Sequence, residues 1–339
     1  MRFPWVLVLV LVMSGPGGRA QSPPPVAPVV ILPPFDEWLS VLKAEAIERG
    51  IAAELVERAF TGLQPVEQIL ERDRTQAEFA LDLEAYLKRR LTPQTVRLAQ
   101  QMHTKHRDLL RKVETTYGVS SKVVVSIWGL ESNFGRFAGV RPTIPALVTL
   151  AYDPRRSVMF RNELFSALEI VNRGDIPLER LKGSWAGALG QPQFMPSSYL
   201  EFAQDFDGDG LKDIWASQAD VFASIAFYLQ KHGWKPGEAW GREVRIPSLL
   251  KEATLAIPRR EAGCRAKRLM TESRPLSAWK TMGLRTTANA ALPKSEMPAS
   301  MAVAGTRTFL LYENYEALLG YNCAHSYALS VGLLADRLR

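Results

Sequence analysis

Long hydrophobic runs, histidine, cysteine and blocks of like charge are all scarce in this chain. Each shortage narrows what it does. The apolar stretch near the start, Val6 to Met13, is too short to span a bilayer comfortably, and no stop-transfer charge cluster follows it. With Arg2 ahead of it and Gly18-Arg19-Ala20 behind it, Met1 to Ala20 reads as a secretory signal. No cysteine stands near that cleavage site, which argues against a lipid-anchored lipoprotein. An uncut signal serving as an N-terminal anchor is the alternative. The four histidines, His103, His106, His232 and His325, form no His-Glu-x-x-His pattern. His103 and His106 share a helix face and read as a surface pair rather than a metal site. The formal charge is +7, but its basic residues are scattered among acids, with no block and no aromatic-interleaved patch. That composition excludes nucleic acid as the main partner. Loss of Arg2 and Arg19 with the signal leaves about +5, a modest excess that suits an anionic polymer.

The two cysteines, Cys264 and Cys323, both lie in the exported part. An even count in an oxidising compartment is consistent with a disulfide; two unpaired small core residues are the other reading. Cys323 and His325 are too close in sequence to form a thiol-protease pair by themselves.

What is present is enough apolar residue for a large core. The 339 residues are 47% hydrophobic, which allows two or three subdomains. Gln21 to Pro34 is rich in proline and reads as an extended linker. From Phe35 to about Gly118 the spacing is helical. Trp38, Leu39, Leu42 and Ala46 form one stripe, and Leu55, Ala59 and Phe60 the next. Phe79, Leu81, Leu83, Tyr86 and Leu87 form a third, ending before Thr92-Pro93. Leu109, Leu110, Val113 and Tyr117 follow. Further helices are expected over Pro145 to Leu150, Phe160 to Val171 and Val221 to His232. Helical periodicity fades from about Trp240 to Gly305, where a small β-containing unit is expected. Thr308 to Leu311 reads as a strand and Tyr327 to Leu338 as a closing helix.

The stretch Ser126-Ile127-Trp128-Gly129-Leu130-Glu131-Ser132-Asn133-Phe134-Gly135 carries the strongest chemical signal. A buried helix capped by Ser120 or Ser121 would run through Val123, Val124, Val125, Ile127 and Trp128. Glu131 falls one turn later on the face of Ile127 and Trp128, just before a Ser-Asn-Phe-Gly turn. A carboxyl among apolar groups resists ionising, which is the environment a general acid needs. The plain alternative is a glutamate at a helix end that points to water. The segment Gly183 to Tyr199 is dense in glycine, proline, serine, glutamine and aromatics. Such a loop can bring backbone close to a ligand and offer neutral hydrogen-bonding groups suited to sugar hydroxyls and amides; a tight buried turn is the other reading. Asp205, Asp207 and Asp209, with Gly210 next, match the front half of a calcium loop, to which Leu211 would add a carbonyl. The twelfth position is Ala216 rather than glutamate, so Asp213 or Asp220 would have to complete the shell. An acidic turn without an ion is the other reading.

Together these residues resemble the lytic murein transglycosylase B family, from about Phe35 to Leu338. The likeness rests on Tyr117-Gly118-Val119, the run from Ile127 to Gly135, Gly183-Ser184-Trp185-Ala186-Gly187-Ala188 and Gln193-Phe194-Met195-Pro196-Ser197-Ser198-Tyr199. It also rests on the Asp205 to Asp220 loop, and on Tyr321-Asn322 with Tyr327-Ala328-Leu329. The resemblance implies a mainly α fold: a helical domain (35–118), a lysozyme-like core with an EF-hand-like loop (119–240), a small β subdomain (241–310) and a C-terminal segment (311–339) returning to the cleft. It implies non-hydrolytic cleavage of the β-1,4 bond between N-acetylmuramic acid and N-acetylglucosamine, leaving 1,6-anhydro-muramoyl ends. Glu131 would be the single acid/base. Ser184, Gln193, Tyr228, Tyr321, Asn322 and Tyr327 would line the glycan cleft, with Arg155 and Arg156 near it. Asp205, Asp207, Asp209, Leu211 and Asp220 would hold a structural calcium ion, and no cofactor would be needed for the chemistry. A periplasmic monomer acting on peptidoglycan strands is expected. The chain departs from the family at Ala324, where a serine is common, and in lacking the lipobox of membrane-bound members. A lysozyme-type muramidase and a catalytically silent peptidoglycan-binding scaffold are the competing functions.

Overall fold

The computed structural model describes residues 32–74, 82–250, 252, 254 and 256–338. The signal reading over 1–20, most of the linker reading over 21–34, and Phe79 and Leu81 of the third stripe lie outside the described residues.

The first helices are α1 (Phe35–Glu48), α2 (Ala53–Phe60), α3 (Glu67–Arg74), α4 (Leu83–Arg90), α5 (Pro93–Lys105) and α6 (Arg107–Tyr117). Their buried faces follow the apolar stripes: Leu39, Leu42 and Ala46 in α1, and Leu55, Val56, Ala59 and Phe60 in α2. Side-chain caps set two of the starts. Asp82 accepts the Ala85 N–H at 2.8 Å ahead of α4, and Thr92 accepts the Thr95 N–H at 3.1 Å ahead of α5. Pro93 then occupies the first turn of α5, where a backbone N–H would have no helical partner. Gly118 ends α6 at φ 71°, and a Cβ there would come within 2.7 Å of Pro236.

Helix α7 (Ser121–Ser132) is the centre of the fold, with every residue from Val123 to Leu130 buried. Ser120 stands at its N-cap, but its side chain makes no capping bond. The Ser121 N–H is met instead by the Glu114 carboxylate at 3.2 Å.

A two-residue strand, β1 (Arg141–Pro142), leads into α8 (Thr143–Tyr152) and α9 (Ser157–Asn172), and pairs antiparallel with β2 (Lys182–Gly183). Helices α10 (Pro196–Phe202) and α11 (Gln218–Lys231) follow. The chain then passes through β3 (Gly241–Arg245), α12 (Arg265–Arg268), β4 (Arg274–Pro275), α13 (Leu276–Thr281), β5 (Arg285–Thr286), β6 (Pro298–Ala304) and β7 (Arg307–Leu311). These strands form an antiparallel sheet of order β4-β6-β7-β3-β5. The sheet has its own core around Val244, Trp279, Met301, Leu310 and Tyr312. The last helices, α14 (Glu313–Tyr321) and α15 (His325–Ala335), return to the main body. There α15 packs against α7, α4 and α14.

The fold is therefore mainly α with a small β unit. Buried side chains from Leu39 to Leu338 form one continuous cluster that also takes in Ala302, Ala304, Phe309 and Leu311 of the sheet, so the early helices and the segment around α7 share a core. A disulfide joins Cys264, ahead of α12, to Cys323, between α14 and α15, with 6.3 Å between the Cα atoms.

Ala324 occupies the N-cap of α15 in extended geometry, φ −136° and ψ 130°, where its methyl cannot accept a backbone N–H. A serine hydroxyl at this position can. Ala324→Ser is expected to raise the unfolding free energy by about 1 kcal/mol. The readout is the urea midpoint. An unchanged or lower midpoint would show that the hydroxyl finds no N–H in the first turn.

Candidate active site

Helix α7 presents Glu131 one residue before its end, half-buried. The helix stops because three successive residues turn left-handed: Asn133 at φ 50°, Phe134 at φ 59° and Gly135 at φ 80°. For a phenylalanine this conformation costs on the order of 1 kcal/mol or more. Packing offsets the cost. The Phe134 ring meets Trp128 edge-on, with centroids 5.4 Å apart, and lies over Gly129. A Cβ at position 129 would approach that ring to 2.5 Å, so the glycine inside the helix makes room for the turn that follows it. A buried polar network then locks the turn to its neighbours. Trp128 Nε1 donates to Gln191 Oε1 at 2.6 Å, and Gln191 Nε2 donates to the Trp215 carbonyl at 2.7 Å. Gln191 is 4% exposed.

Two tyrosines from the C-terminal segment face Glu131. Tyr327, on α15, has its buried phenol near Glu131; burial first, and then the charge of Glu131, hold it well above the ordinary range. Tyr321, at the end of α14, is held high by the same two causes, and its hydroxyl donates to the Pro192 carbonyl at 2.7 Å. Tyr228, on α11, is pushed up to about 12 by burial and donates to the Gly320 carbonyl at 2.7 Å. The rings form one aromatic wall: Tyr228 to Tyr321 at 4.8 Å, Phe194 to Tyr321 at 5.9 Å, and Tyr321 stacked on Tyr327 at 6.3 Å. With pKa values this high, all three phenols keep their protons at neutral pH and act as donors.

The glycine-rich loop supplies Ser184 and Gln193. Ser184 Oγ accepts the N–H groups of Ala186 (3.3 Å) and Ala188 (3.1 Å), which leaves the hydroxyl proton to donate outward. Gln193 sits at φ 55° in the tight connection that pairs Leu189 with Phe194, and its Nε2 donates to the Gly190 carbonyl at 2.8 Å. Asn322 follows Tyr321 in extended geometry as α14 ends. Arg155 forks onto Asp153 (2.9 Å) and Asp73 (2.8 Å), and Arg156 reaches Asp73 at 3.2 Å, so both are anchored to α3.

A family model described as the transglycosylase SLT domain matches residues 34–336. The chain belongs to the transglycosylase SLT family. It is 39% identical over 155 residues to membrane-bound lytic murein transglycosylase B of Escherichia coli (strain K12); the match takes in 45% of this chain and spans under half, 42%, of that relative. Among solved structures, SltB3 from Pseudomonas aeruginosa in complex with NAG-anhNAM-pentapeptide superposes with TM-score 0.80 at 39% identity, covering 89% of this chain and 78% of SltB3. Escherichia coli Slt35 in complex with calcium superposes with TM-score 0.73 at 25% identity, covering 88% and 91% of the two chains.

This SLT-family chain also gathers Asp205, Asp207 and Asp209 in one exposed loop, with a carboxylate oxygen of each within 4.8 Å of the others. The loop is organised from within. Asp205 accepts the Gly208 and Gly210 N–H groups at 2.7 and 2.9 Å, and Asp209 accepts the Leu211 N–H at 2.8 Å. Asp207 accepts the Ser217 hydroxyl at 2.6 Å. Asp220 stands apart from the three. It is fully buried, and its two oxygens accept the Phe206 and Asp213 N–H groups, each at 2.8 Å. Burial above all holds its pKa up, with the charge of Asp207 adding to the rise. Asp220 thus ties the two ends of the loop together through backbone, while the other three face solvent with their charge concentrated.

Two supporting residues escaped the sequence reading. Gln191 gave a faint signal, a lone amide between Gly190 and Pro192 in a tight loop. Arg90, which closes α4 and donates through Nη2 to the Leu130 carbonyl, gave none.

Proposed function

We propose that the protein is a lytic transglycosylase that cleaves the β-1,4 bond between N-acetylmuramic acid and N-acetylglucosamine in peptidoglycan without water, leaving 1,6-anhydro-muramoyl ends. The observation that carries this reading is one carboxyl, Glu131, set at the end of a buried helix and faced by neutral phenols. Two-carboxylate glycosidases use an acid and a separate base or nucleophile; substrate assistance removes the need for the second. Protonated Glu131 gives its proton to the glycosidic oxygen as the bond breaks. The oxygen of the muramoyl 2-acetamido group closes on the anomeric carbon, and the outward proton of Ser184 suits that acetamido group. Glu131, now ionised, takes the proton from the muramoyl 6-hydroxyl as that oxygen attacks the anomeric carbon and closes the anhydro ring. Tyr228, Tyr321, Tyr327, Gln193 and Asn322 hold the sugars, and positioning of this kind supplies a large part of the rate. Arg155 and Arg156, held in place by Asp73, would contact the strand near the site. The exported, periplasmic setting read from the first residues fits this substrate.

Digestion of purified sacculi with mass analysis of the released fragments tests the reading. Fragments lighter by one water than lysozyme products are expected. Reducing-end products would make the protein a muramidase, and binding without release would make it a scaffold.

The donor set of the acidic loop fits a hard cation: three carboxylates preset by backbone N–H bonds, with oxygen ligands only. Asp205, Asp207, Asp209 and the Leu211 carbonyl would hold calcium, with Asp220 behind them as support. The ion would take no part in the chemistry. Binding to the native state alone gives about 2.7 kcal/mol of stabilisation at a hundredfold excess over Kd. Calcium is therefore expected to raise the melting temperature of EDTA-treated protein, and Asp207→Asn to blunt that response. No change with calcium after EDTA would leave the loop as an acidic turn.

A further inference from the structure

Glu131 sits at the electrically unfavourable end of its helix. Aligned peptide dipoles place about half a negative charge at a helix C-terminus, worth roughly 0.3–1 kcal/mol against an anion there. The last turn of α7 contains no basic residue to offset it. A carboxyl that must donate a proton and then accept another has to exist in both forms within one turnover, so the cost of its ionised form bears directly on the rate.

A cation reaches this helix end from another part of the chain. Arg90 is the last residue of α4, and its Nη2 donates to the Leu130 carbonyl, the peptide immediately before Glu131. That carbonyl belongs to the final turn, where the left-handed Asn133-Phe134 turn has replaced further helix and the usual partner is lost. Arg90 Nε is also shielded from water, and among the described residues nothing accepts from it. A guanidinium held this way cannot lose its proton, so its charge is permanent. Helix α4 packs on α15, which carries Tyr327, and the Tyr327 phenol feels both the Glu131 anion and the Arg90 cation.

We propose that Arg90 is a positioning residue for Glu131: it pins the peptide before the carboxyl and supplies the positive charge that steadies its ionised form between the two proton transfers. The proposal rests on the reading of Glu131 as acid/base. It gives α4, in the segment read as an accessory helical domain, a direct part in tuning the acid/base.

The test uses the full-length protein on purified sacculi, with Arg90→Met, Arg90→Lys and Glu131→Gln measured across pH. Arg90→Met keeps the apolar stem and loses the charge and the fork. It is expected to lower kcat about tenfold. Without the cation the carboxyl ionises less readily, so the alkaline limb of the pH–rate profile should move up by about half a unit to one unit. Arg90→Lys should keep that limb near its wild-type place, because the charge survives, even where kcat falls through loss of the fork. KM for sacculi should stay near wild type in both variants. A limb that stays put in Arg90→Met, with melting temperature and kcat falling together, would overturn the proposal and leave Arg90 as a structural staple. Loss of turnover in Glu131→Gln, with a wild-type profile in Arg90→Met, would overturn the proposal alone. Retained turnover in Glu131→Gln would overturn both it and the assignment of the acid/base.

Discussion

Glu131→Gln is expected to lower turnover of purified sacculi about a thousandfold or more, while the melting temperature and the pelleting of the protein with sacculi stay near wild type. General acid–base catalysis by one group contributes roughly 10²–10⁴-fold. Here the same carboxyl serves in both proton transfers, so removing it falls at the upper end. Glutamine preserves the shape, and Tyr228 and Tyr321 are held by the Gly320 and Pro192 carbonyls, so the aromatic wall of Tyr228, Tyr321 and Tyr327 has no reason to move. Tyr327→Phe provides a contrast. It removes a buried hydroxyl that lies beside the Glu131 charge and leaves the proton shuttle in place. Its loss of kcat should therefore be clearly smaller than that of Glu131→Gln. If Glu131→Gln kept wild-type turnover, another group would be the proton donor, and the geometry at the end of α7 would need a different explanation.

The legibility of this fold follows contact range. The early helices could be read because their buried faces repeat at helical spacing, as Leu39, Leu42 and Ala46 do in α1. The end of α7 could be read because Glu131 and its turn lie within a few residues of each other. What could not be read is what the turn requires: Gly129 yields space to Phe134, and the Trp128 indole spends its N–H on Gln191, 63 residues away. Arg90 meets the helix end across 40 residues, and no periodicity connects them. Tyr321 and Tyr327 came from resemblance to a family rather than from spacing; their position opposite Glu131 depends on how α14 and α15 return after the β unit. Asp220 shows the limit in the other direction. Its place in the motif makes it a proposed ligand, and what the motif does not show is that each of its oxygens also accepts a backbone N–H.

Removing the Cys264–Cys323 disulfide is expected to cost about 4 kcal/mol of unfolding free energy, from the loop-closure entropy of a cross-link spanning 59 residues. The bond ties the β unit to the segment that carries Tyr321 and Asn322. It is not the only tie between them. Glu316 on α14 bonds to Arg260 at 2.7 Å and Lys267 at 3.3 Å, so the native geometry has other anchors once the sulfurs part. Surface ion pairs of this kind contribute at most about 1 kcal/mol each, too little to replace the covalent bond against unfolding. The two effects should therefore separate. Cys264→Ala/Cys323→Ala, or the wild-type protein under a thiol reductant, should unfold at a much lower denaturant midpoint, while activity per folded molecule at moderate temperature falls little. An unchanged midpoint would mean that the cross-link does not restrict the unfolded chain. A collapse of activity with the fold intact would mean that the bond, rather than Glu316 and its partners, holds Tyr321 against Glu131.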